Sequence, residues 1–318
     1  MNILITGGAG YLGSVLVPEL CQPQPWSHLP YRVTVVDNFM WGQMPLNAMC
    51  VADDFDVVRG DARDMRVMDP LLKKADIFIP LAALVGAPLC ARDEIGAWTT
   101  NTQAIRDAIA PFRMSQAQRI IIPITNSGYG IGKTGTECTE DSPLNPISLY
   151  GRTKVEAEKA VLDRGNAISL RLATVFGMSP RMRLDLLVND FVHRAMTDRA
   201  VVLFEAHFKR NYIHVRDVAA AFMHAIDNFE AMRDQPYNVG LSDANLSKAE
   251  LCERIKRHIP AFTWFESPTG EDPDKRDYIV SNARIEATGW GPRWSLDQGI
   301  RELIKGLRML PRGQQGNV

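Results

Sequence analysis

A glycine-rich turn directly follows the first strand-like segment of this 318-residue chain. Residues 2–6 (NILIT) are apolar or β-branched, residues 7–13 are GGAGYLG, and a helical segment comes next. Gly7 permits a tight turn, Gly10 lets the backbone approach a pyrophosphate, and Gly13 lets the helix pack closely on the strand. A pyrophosphate would then meet the N–H groups at the start of the helix. The pattern predicts a dinucleotide-binding α/β fold.

Short apolar strands alternate with helical stretches through the first half of the chain. The predicted strands are residues 2–6, 32–37, 55–59, 76–80, 119–125 and 167–172. Such alternation is typical of βαβ units around a parallel sheet. The sequence therefore predicts a Rossmann-type, doubly wound parallel sheet, with crossover helices at 99–112 and 149–164.

The pattern changes after residue 177, which predicts a smaller, interleaved substrate-binding lobe. We expect helices at 183–197 and 215–229, short strands at 201–204 and 211–213, and an exposed loop at 267–276. We predict a dinucleotide-binding domain at 1–176 to which 211–240 returns, a second lobe at 177–210 and 241–311, and a flexible tail at 312–318.

Composition argues against several other classes of protein. The 36 basic and 37 acidic side chains leave a net charge of −1, which is untypical of a nucleic-acid-binding protein. Neither a signal-type segment nor an apolar run long enough for a bilayer is evident, so we expect a cytoplasmic protein without a membrane partner. The five cysteines form no CxxC and the six histidines lack metal-ligand spacing, so we predict no metal.

An acid, Asp37, closes the second predicted strand. There its carboxylate could accept hydrogen bonds from both hydroxyls of an adenosine ribose. The same charge would repel a 2′-phosphate, and the next residues, Asn38 and Phe39, include no arginine to neutralise one. We therefore predict NAD rather than NADP. Taken alone, Asp37 could also be a turn-forming acid at a strand end.

Tyr150 and Lys154 stand four residues apart on a predicted helix, so both side chains project from one face. A nearby ammonium favours the phenolate and lowers the tyrosine pKa, which makes Tyr150 a usable base towards a sugar hydroxyl. Thr125 ends the fifth predicted strand, where its hydroxyl could bond the reacting oxygen. Alone, the pair could be a solvated helix face and Thr125 a turn residue. Their position after the fifth strand favours catalysis.

These features occur in the order found in nucleotide-sugar epimerases and dehydratases. The match consists of the glycine turn, Asp37, Asp61 with Ala62, Leu81 to Ala83, Asn101, TNSGYG at 125–130, Tyr150 with Lys154, and RNYIHV at 210–215. The chain resembles the extended short-chain dehydrogenase/reductase family, which includes UDP-glucose 4-epimerase, and the match covers nearly the whole chain.

The resemblance implies roles for many individual residues. The implied catalytic trio is Thr125, Tyr150 and Lys154. The implied NAD contacts are Gly7, Gly10, Tyr11, Leu12, Gly13, Asp37, Asn38, Asp61, Ala62, Leu81, Ala82, Ala83, Asn101, Tyr150 and Lys154. The implied contacts with a nucleotide-sugar substrate are Thr125, Asn126, Ser127, Thr174, Asn189, Arg210 and Arg276, the two arginines on phosphate. The family also implies a homodimer that pairs helices 99–112 and 149–164 across a two-fold axis.

Departures from the family pattern narrow the chemistry. The family's 4,6-dehydratases carry Asp-Glu after the active-site threonine, whereas this chain has Asn126 and Ser127, so dehydration is disfavoured. Uronate decarboxylation is disfavoured too, because those relatives also carry a glutamate there. Thr174 and Asn211 replace a usual Asn and Asp, which leaves the substrate open. The basic segment 178–183 is either a further phosphate contact or a solvated loop.

Our first hypothesis is an NAD-dependent nucleotide-sugar epimerase that acts through a transient ketosugar. The alternatives are a net dehydrogenase or ketoreductase with the same site, less favourably a 4,6-dehydratase, and a non-catalytic binding or regulatory relative. Retention of the complete trio argues against the last, since a binding module has no chemical need for it.

Overall fold

The structure, a computed structural model, describes residues 1–22, 31–111, 113–133, 135–270 and 276–310. The predicted tail at 312–318, Phe112 and the middle of the predicted loop at 267–276 lie outside the described residues.

Fourteen strands are present in these ranges. They are β1 Asn2–Thr6, β2 Arg32–Asp37, β3 Phe55–Arg59, β4 Ile77–Pro80, β5 Arg119–Thr125, β6 Glu137–Cys138, β7 Ala167–Leu172, β8 Thr174–Phe176, β9 Ala200–Leu203, β10 Lys209–His214, β11 Gln235–Val239, β12 Asn245–Ser247, β13 Thr263–Glu266 and β14 Ile279–Val280.

Helices connect them. They are α1 Gly13–Leu20, α2 Met65–Leu72, α3 Ala87–Arg92, α4 Glu94–Trp98, α5 Ala104–Ala108, α6 Leu149–Arg164, α7 Leu187–Thr197, α8 Val215–Asp227, α9 Phe229–Met232, α10 Lys248–His258, α11 Ala283–Glu286 and α12 Leu296–Gly306. Short 3-10 turns span Asn47–Val51, Asn126–Tyr129 and Leu307–Met309, and a π-helical turn spans Thr99–Gln103.

Seven parallel strands form the central sheet in the order β11-β7-β5-β4-β1-β2-β3. The prediction of a doubly wound parallel sheet is therefore confirmed. Strands β5 and β7 are buried almost throughout because helices cover both faces of the sheet. The strand order reverses between β1 and β4, and in sheets of this kind the ligand crevice opens at that point.

Pro123 lies inside β5, a central strand, although proline cannot donate a ladder hydrogen bond. Strand β4 pairs only with Arg119 and Ile120 of β5, so the two strands have parted before Pro123 is reached. On its other side β5 stays paired with β7 as far as Thr125. The separation opens the sheet edge at Thr125, where the site described below begins.

Two apolar cores cover the two faces of the sheet. One contains Leu16 of α1 and Phe222 of α8 and continues into the C-terminal elements. The other contains Met68 of α2, Ile105 of α5 and Val161 of α6. Fully burying side chains of this size contributes roughly 1.5–3 kcal/mol each. These cores fix the strand ends, and thereby the site, relative to the helices.

The C-terminal part builds small sheets beside the large one. Strand β10 pairs in parallel with β8 and antiparallel with β12, while β9 pairs with β13 and β6 with β14. Helices α10 and α12, which the sequence analysis did not predict, each begin with a capping box, Ser247 with Glu250 and Ser295 with Gln298. No helix among the described residues is long and apolar enough to cross a membrane.

Several predicted boundaries were wrong. The helix expected from residue 183 begins at Leu187, because Arg183 pairs with Asp185 and the backbone at Leu186 is extended. The helix expected at 99–112 is the second part of a helical stretch that starts at Glu94. Two smaller shifts are that β4 starts at residue 77 rather than 76 and that α8 ends at residue 227 rather than 229.

Candidate active site

A cleft of about 900 Å³ lies along the C-terminal ends of the central strands. It brings together most of the predicted site residues, namely Gly7, Gly10, Tyr11, Leu12, Gly13, Asp37, Asn38, Asp61, Ala62, Leu81, Ala82, Ala83, Thr125, Tyr150, Lys154, Thr174, Arg210 and Arg276. Residues from both halves of the chain therefore face one continuous space.

The glycine turn is packed so closely that side chains would not fit. A Cβ atom on Gly7 would lie 2.5 Å from the backbone nitrogen of Ala82, and the φ of Gly7 is +72°. A Cβ atom on Gly13 would lie 2.4 Å from the carbonyl oxygen of Gly8. Only glycine satisfies both positions, and the turn presents bare backbone at the start of α1. This geometry fits a dinucleotide pyrophosphate.

Asp37 is fixed at the end of β2 by two backbone hydrogen bonds. Its Oδ2 accepts from the N–H of Ala9 at 3.0 Å and its Oδ1 from the N–H of Phe39 at 2.8 Å. Burial raises the pKa of Asp37, while these two bonds oppose the rise. The carboxylate thus ties the second strand to the glycine turn, and it lines the cleft where an adenosine ribose is expected.

Tyr150 and Lys154 lie one turn apart on α6, and both line the cleft with Thr125 at the end of β5. Ser148 caps this helix by accepting from the N–H of Gly151 at 3.1 Å. Burial lowers the pKa of Lys154 to about 8, although the nearby Glu158 carboxylate opposes the change. Lys154 forms no hydrogen bond or ion pair with any described residue, so its ammonium is available to a ligand.

The charge around Tyr150 includes groups that the sequence analysis did not assign to it. Burial raises the pKa of Tyr150 to about 12, while the guanidinium groups of Arg183 and Arg276 and a hydrogen bond with Thr125 lower it. Arg183 is 7% exposed and pairs with Asp185, and Arg276 donates to the Ser127 hydroxyl. The two arginines act where the lysine was expected to, but burial outweighs them, so the expected lowering of the Tyr150 pKa is not found in the protein without ligand.

Four predicted contact residues are buried outside the cleft lining. The amide of Asn101 donates to Leu84 O at 2.9 Å and accepts from Leu84 N at 2.8 Å. Asn126 and Ser127 lie in the buried turn after β5, and the Asn126 amide has no hydrogen-bond partner among the described residues. Asn189 bonds Gly177 N, Arg183 O and the Tyr11 hydroxyl. In this structure these side chains shape the walls rather than face the cleft.

The basic segment 178–183 is not a solvated loop, so that alternative was wrong. Arg181 is 2% exposed and Arg183 is 7% exposed, and both line the cleft. Met182 between them is buried in the larger core. An apolar residue between two arginines gives no local signal of this outcome, because burial of the segment depends on contacts with residues near the N-terminus.

Arg171 is a buried charge whose partners are all supplied by the protein, and its main partner, Glu158, lies one helical turn after Lys154 on α6. Arg171 of β7 is 5% exposed and donates to both carboxylate oxygens of Glu158, to the Tyr129 hydroxyl and to the carbonyl of Glu140. Glu158 also accepts a hydrogen bond from the Ser169 hydroxyl. This network joins α6 to the sheet one helical turn beyond Lys154 and fixes that helix.

The chain resembles several known proteins over nearly its whole length. It is 26% identical to the low-salt glycan biosynthesis protein Agl12 of Haloferax volcanii, over 96% of this chain and 97% of that protein. It is also 26% identical to the UDP-glucose 4-epimerase of Corynebacterium glutamicum, over 92% and 91%. The structure of Thermus thermophilus UDP-glucose 4-epimerase with NAD matches with a TM-score of 0.80 and 23% identity, covering 97% of this chain and 99% of that one.

The parallel sheet and the cleft at its strand ends define a doubly wound α/β protein of the dinucleotide-binding type. The sequence model of the NAD dependent epimerase/dehydratase family matches residues 3–240. The chain belongs to this family, whose members include nucleotide-sugar epimerases, dehydratases and decarboxylases, and NAD is its cofactor.

Proposed function

We propose that the protein is an NAD-dependent nucleotide-sugar epimerase in which Tyr150 is the acid and base. The observation that carries the proposal is that Tyr150, Lys154 and Thr125 line the same cleft. The glycine turn and Asp37, which are expected to bind the dinucleotide, line it too. The side-chain oxygens of Thr125 and Tyr150 are close enough to hydrogen-bond to each other. A substrate hydroxyl placed beside them could therefore hydrogen-bond to both.

Each side chain has a distinct part in this mechanism. Tyr150 takes the proton of the sugar hydroxyl, and the positive charges of Arg183 and Arg276 stabilise the resulting phenolate. Lys154, one helical turn away on α6, is proposed to add to this stabilisation. Thr125 orients the hydroxyl by a hydrogen bond. NAD, when bound, would supply the hydride acceptor and return the hydride to the other face of the ketosugar. Tyr150 then gives the proton back, so that nothing is consumed.

The same oxidation would serve a net dehydrogenase, and one observation favours this second candidate. Three cationic side chains, Lys154, Arg183 and Arg276, surround the reacting end of the cleft. Cations at this end of the cleft favour oxidation of the substrate, because nicotinamide loses its positive charge on reduction, and the pairing of Arg183 with Asp185 reduces this effect. The sequence gives no carboxylate pair for elimination, since Asn126 and Ser127 follow Thr125.

The substrate side supports the nucleotide-sugar part of the proposal. Arg210 and Arg276, proposed as the diphosphate contacts, line the cleft together with Thr174. Guanidinium groups match the geometry of phosphate oxygens.

The predicted division into a cofactor domain and a substrate lobe, the cytoplasmic location and the homodimer stay proposals. Two apolar side chains at the start of the helical stretch that would pair, Ile95 and Trp98, are 79% and 38% exposed.

The decisive experiment identifies any dinucleotide that copurifies and follows UDP-, GDP-, dTDP- and CDP-sugars by proton NMR, with the NADH absorbance band recorded in parallel. An epimeric sugar without lasting NADH supports the epimerase. NADH in proportion to an oxidised sugar supports the dehydrogenase instead. If neither occurs with any sugar, the proposed substrate class is wrong.

Replacing Tyr150 with phenylalanine tests the catalytic assignment. We expect Tyr150→Phe to lower kcat by roughly 10²- to 10⁴-fold, because the proton transfer is lost. Tyr237→Phe is the matched control, since Tyr237 lies in β11 outside the cleft lining. Dinucleotide binding is measured in both variants. Full activity of Tyr150→Phe would show that another group moves the proton.

A further inference from the structure

Arg181 is a buried cation whose guanidinium has neither a hydrogen bond nor an ion pair with a described residue. Its side chain lines the cleft at 2% exposure, and its Nε and Nη2 atoms are buried without a hydrogen bond. No guanidinium nitrogen of Arg181 has a hydrogen bond or ion pair with a described residue. Burial, and next the neighbouring charge of Arg183, lowers its pKa to about 10. A buried, unpaired charge is costly to a fold, so its retention in a cleft points to an anionic ligand.

Hydrogen bonds hold the segment with Arg181 against the glycine turn. We call residues 177–181 the strap. The Tyr11 hydroxyl donates to Gly177 O at 2.6 Å, and the Ser179 hydroxyl donates to Tyr11 O at 2.7 Å. The Ser14 hydroxyl lies 2.9 Å from that of Ser179 and accepts from the N–H of Arg181 at 3.3 Å. The strap therefore crosses the start of α1.

The guanidinium is held beside the end of β2. Its Cζ atom lies 4.8 Å from the ring centroid of Trp41, which places the cation on the indole ring. The carboxylates of Asp185 and, more weakly, of Asp37 attract it without forming an ion pair with it. Arg181 thus lies between the start of α1 and the strand end where the adenosine ribose is expected. A dinucleotide bound along the cleft carries its two phosphates between these points.

We propose that Arg181 binds the diphosphate of the dinucleotide from the side opposite the glycine turn, with Trp41 fixing the guanidinium plane. The N–H groups at the start of α1 hold one side of the diphosphate, and the planar fork of Arg181 donates to the other. The nucleotide sugar is a second source of diphosphate. The neighbours Ser14 and Asp37 favour the dinucleotide, since both belong to the cofactor end of the cleft.

Ligand fragments separate these possibilities by affinity rather than by turnover. ADP-ribose, adenosine and UDP are titrated calorimetrically into protein freed of copurified dinucleotide, using wild type, Arg181→Met and Arg181→Lys. We expect Arg181→Met to bind ADP-ribose about 10- to 100-fold more weakly, the effect of losing a charge-assisted hydrogen bond, with adenosine and UDP unchanged. Arg181→Lys keeps the charge without the fork and should fall between. The exposed Arg301→Met is the matched control.

Other outcomes overturn the proposal. Equal losses for ADP-ribose and adenosine would assign Arg181 a general packing role, and a loss confined to UDP would assign it to the substrate diphosphate. If Arg181→Met does not fold, Arg181→Lys carries the test, and unchanged ADP-ribose affinity in that variant refutes the contact. The proposal rests on NAD binding and not on the epimerase reaction, so failure of one leaves the other intact.

Discussion

Two buried arginines of this protein have opposite surroundings. The guanidinium of Arg171, behind the site, donates to a carboxylate, a phenol and a carbonyl, whereas that of Arg181, in the cleft, donates to none of the described residues. Both are at most 5% exposed. A buried charge whose partners are all supplied by the chain stabilises a fixed shape. A buried charge without such partners lowers the stability of the fold until an oppositely charged ligand binds, and it therefore indicates a binding site.

We expect the largest effect on stability from Arg171→Met. Removing this guanidinium leaves the Glu158 carboxylate buried without its counter-charge. We expect the free energy of unfolding to fall by about 3–5 kcal/mol. Urea denaturation measures the change, with the exposed Arg301→Met expected within about 0.5 kcal/mol of wild type. A loss below about 1 kcal/mol would show that the Arg171 network contributes little.

Lys154→Met should change stability in the other direction. Lys154 is a buried cation without an ion pair, and its pKa in the fold is about 8 against 10.5 for an ordinary lysine. Its removal should raise the free energy of unfolding at pH 7 by up to about 3 kcal/mol while abolishing activity. Lys159→Met, on the exposed side of the same helix, is the control. If Lys154→Met were less stable than wild type, the idea that an unpaired buried cation lowers the stability of the fold would be wrong.

The pH dependence gives this prediction a second check. Below pH 8 the folded protein must bury the charged Lys154, and that penalty disappears as pH rises to 10.5, where the unfolded chain also loses the proton. Buried cysteines and tyrosines, whose pKa values are raised, act oppositely in wild type and variant alike. The advantage of Lys154→Met should therefore shrink steadily between pH 8 and pH 10.5.

Arg181→Met should have the smallest effect on the protein without cofactor. Relief of the buried charge and loss of the contact with Trp41 oppose each other, and each contributes on the order of 1 kcal/mol. We expect the free energy of unfolding to stay within about 1 kcal/mol of wild type. The rise in Tm caused by added ADP-ribose should be smaller in the variant. If Arg181→Met were destabilised as much as Arg171→Met, Arg181 would have a structural role like that of Arg171.

The sequence predicted the cofactor half of the molecule well because its signals are local. Five of the six expected sheet strands have the observed bounds, and the helix at Leu149–Arg164 is as predicted. Apolar runs, the glycine spacing and a strand-end acid each act within a few residues. The expected trio of Thr125, Tyr150 and Lys154 also meets in one cleft.

What escaped prediction depends on contacts distant in sequence. The absence of an arginine after Asp37 was used to argue for NAD, yet Arg181 reaches that neighbourhood from 144 positions further along the chain. Asn189 was expected to face the substrate, but its amide is bonded to Tyr11, Gly177 and Arg183. No spacing rule connects such residues, because the strap brings them together only in the completed fold.

The strap also sets the order of events when the protein is made. Ser14 and Arg181, which join the glycine turn to the strap, are 167 residues apart. At roughly 5–20 residues per second, a ribosome adds that length in about 10–30 seconds. During this time the strap is absent from the glycine turn. The nascent chain therefore cannot enclose its cofactor between the two segments until more than half of the chain has been synthesised.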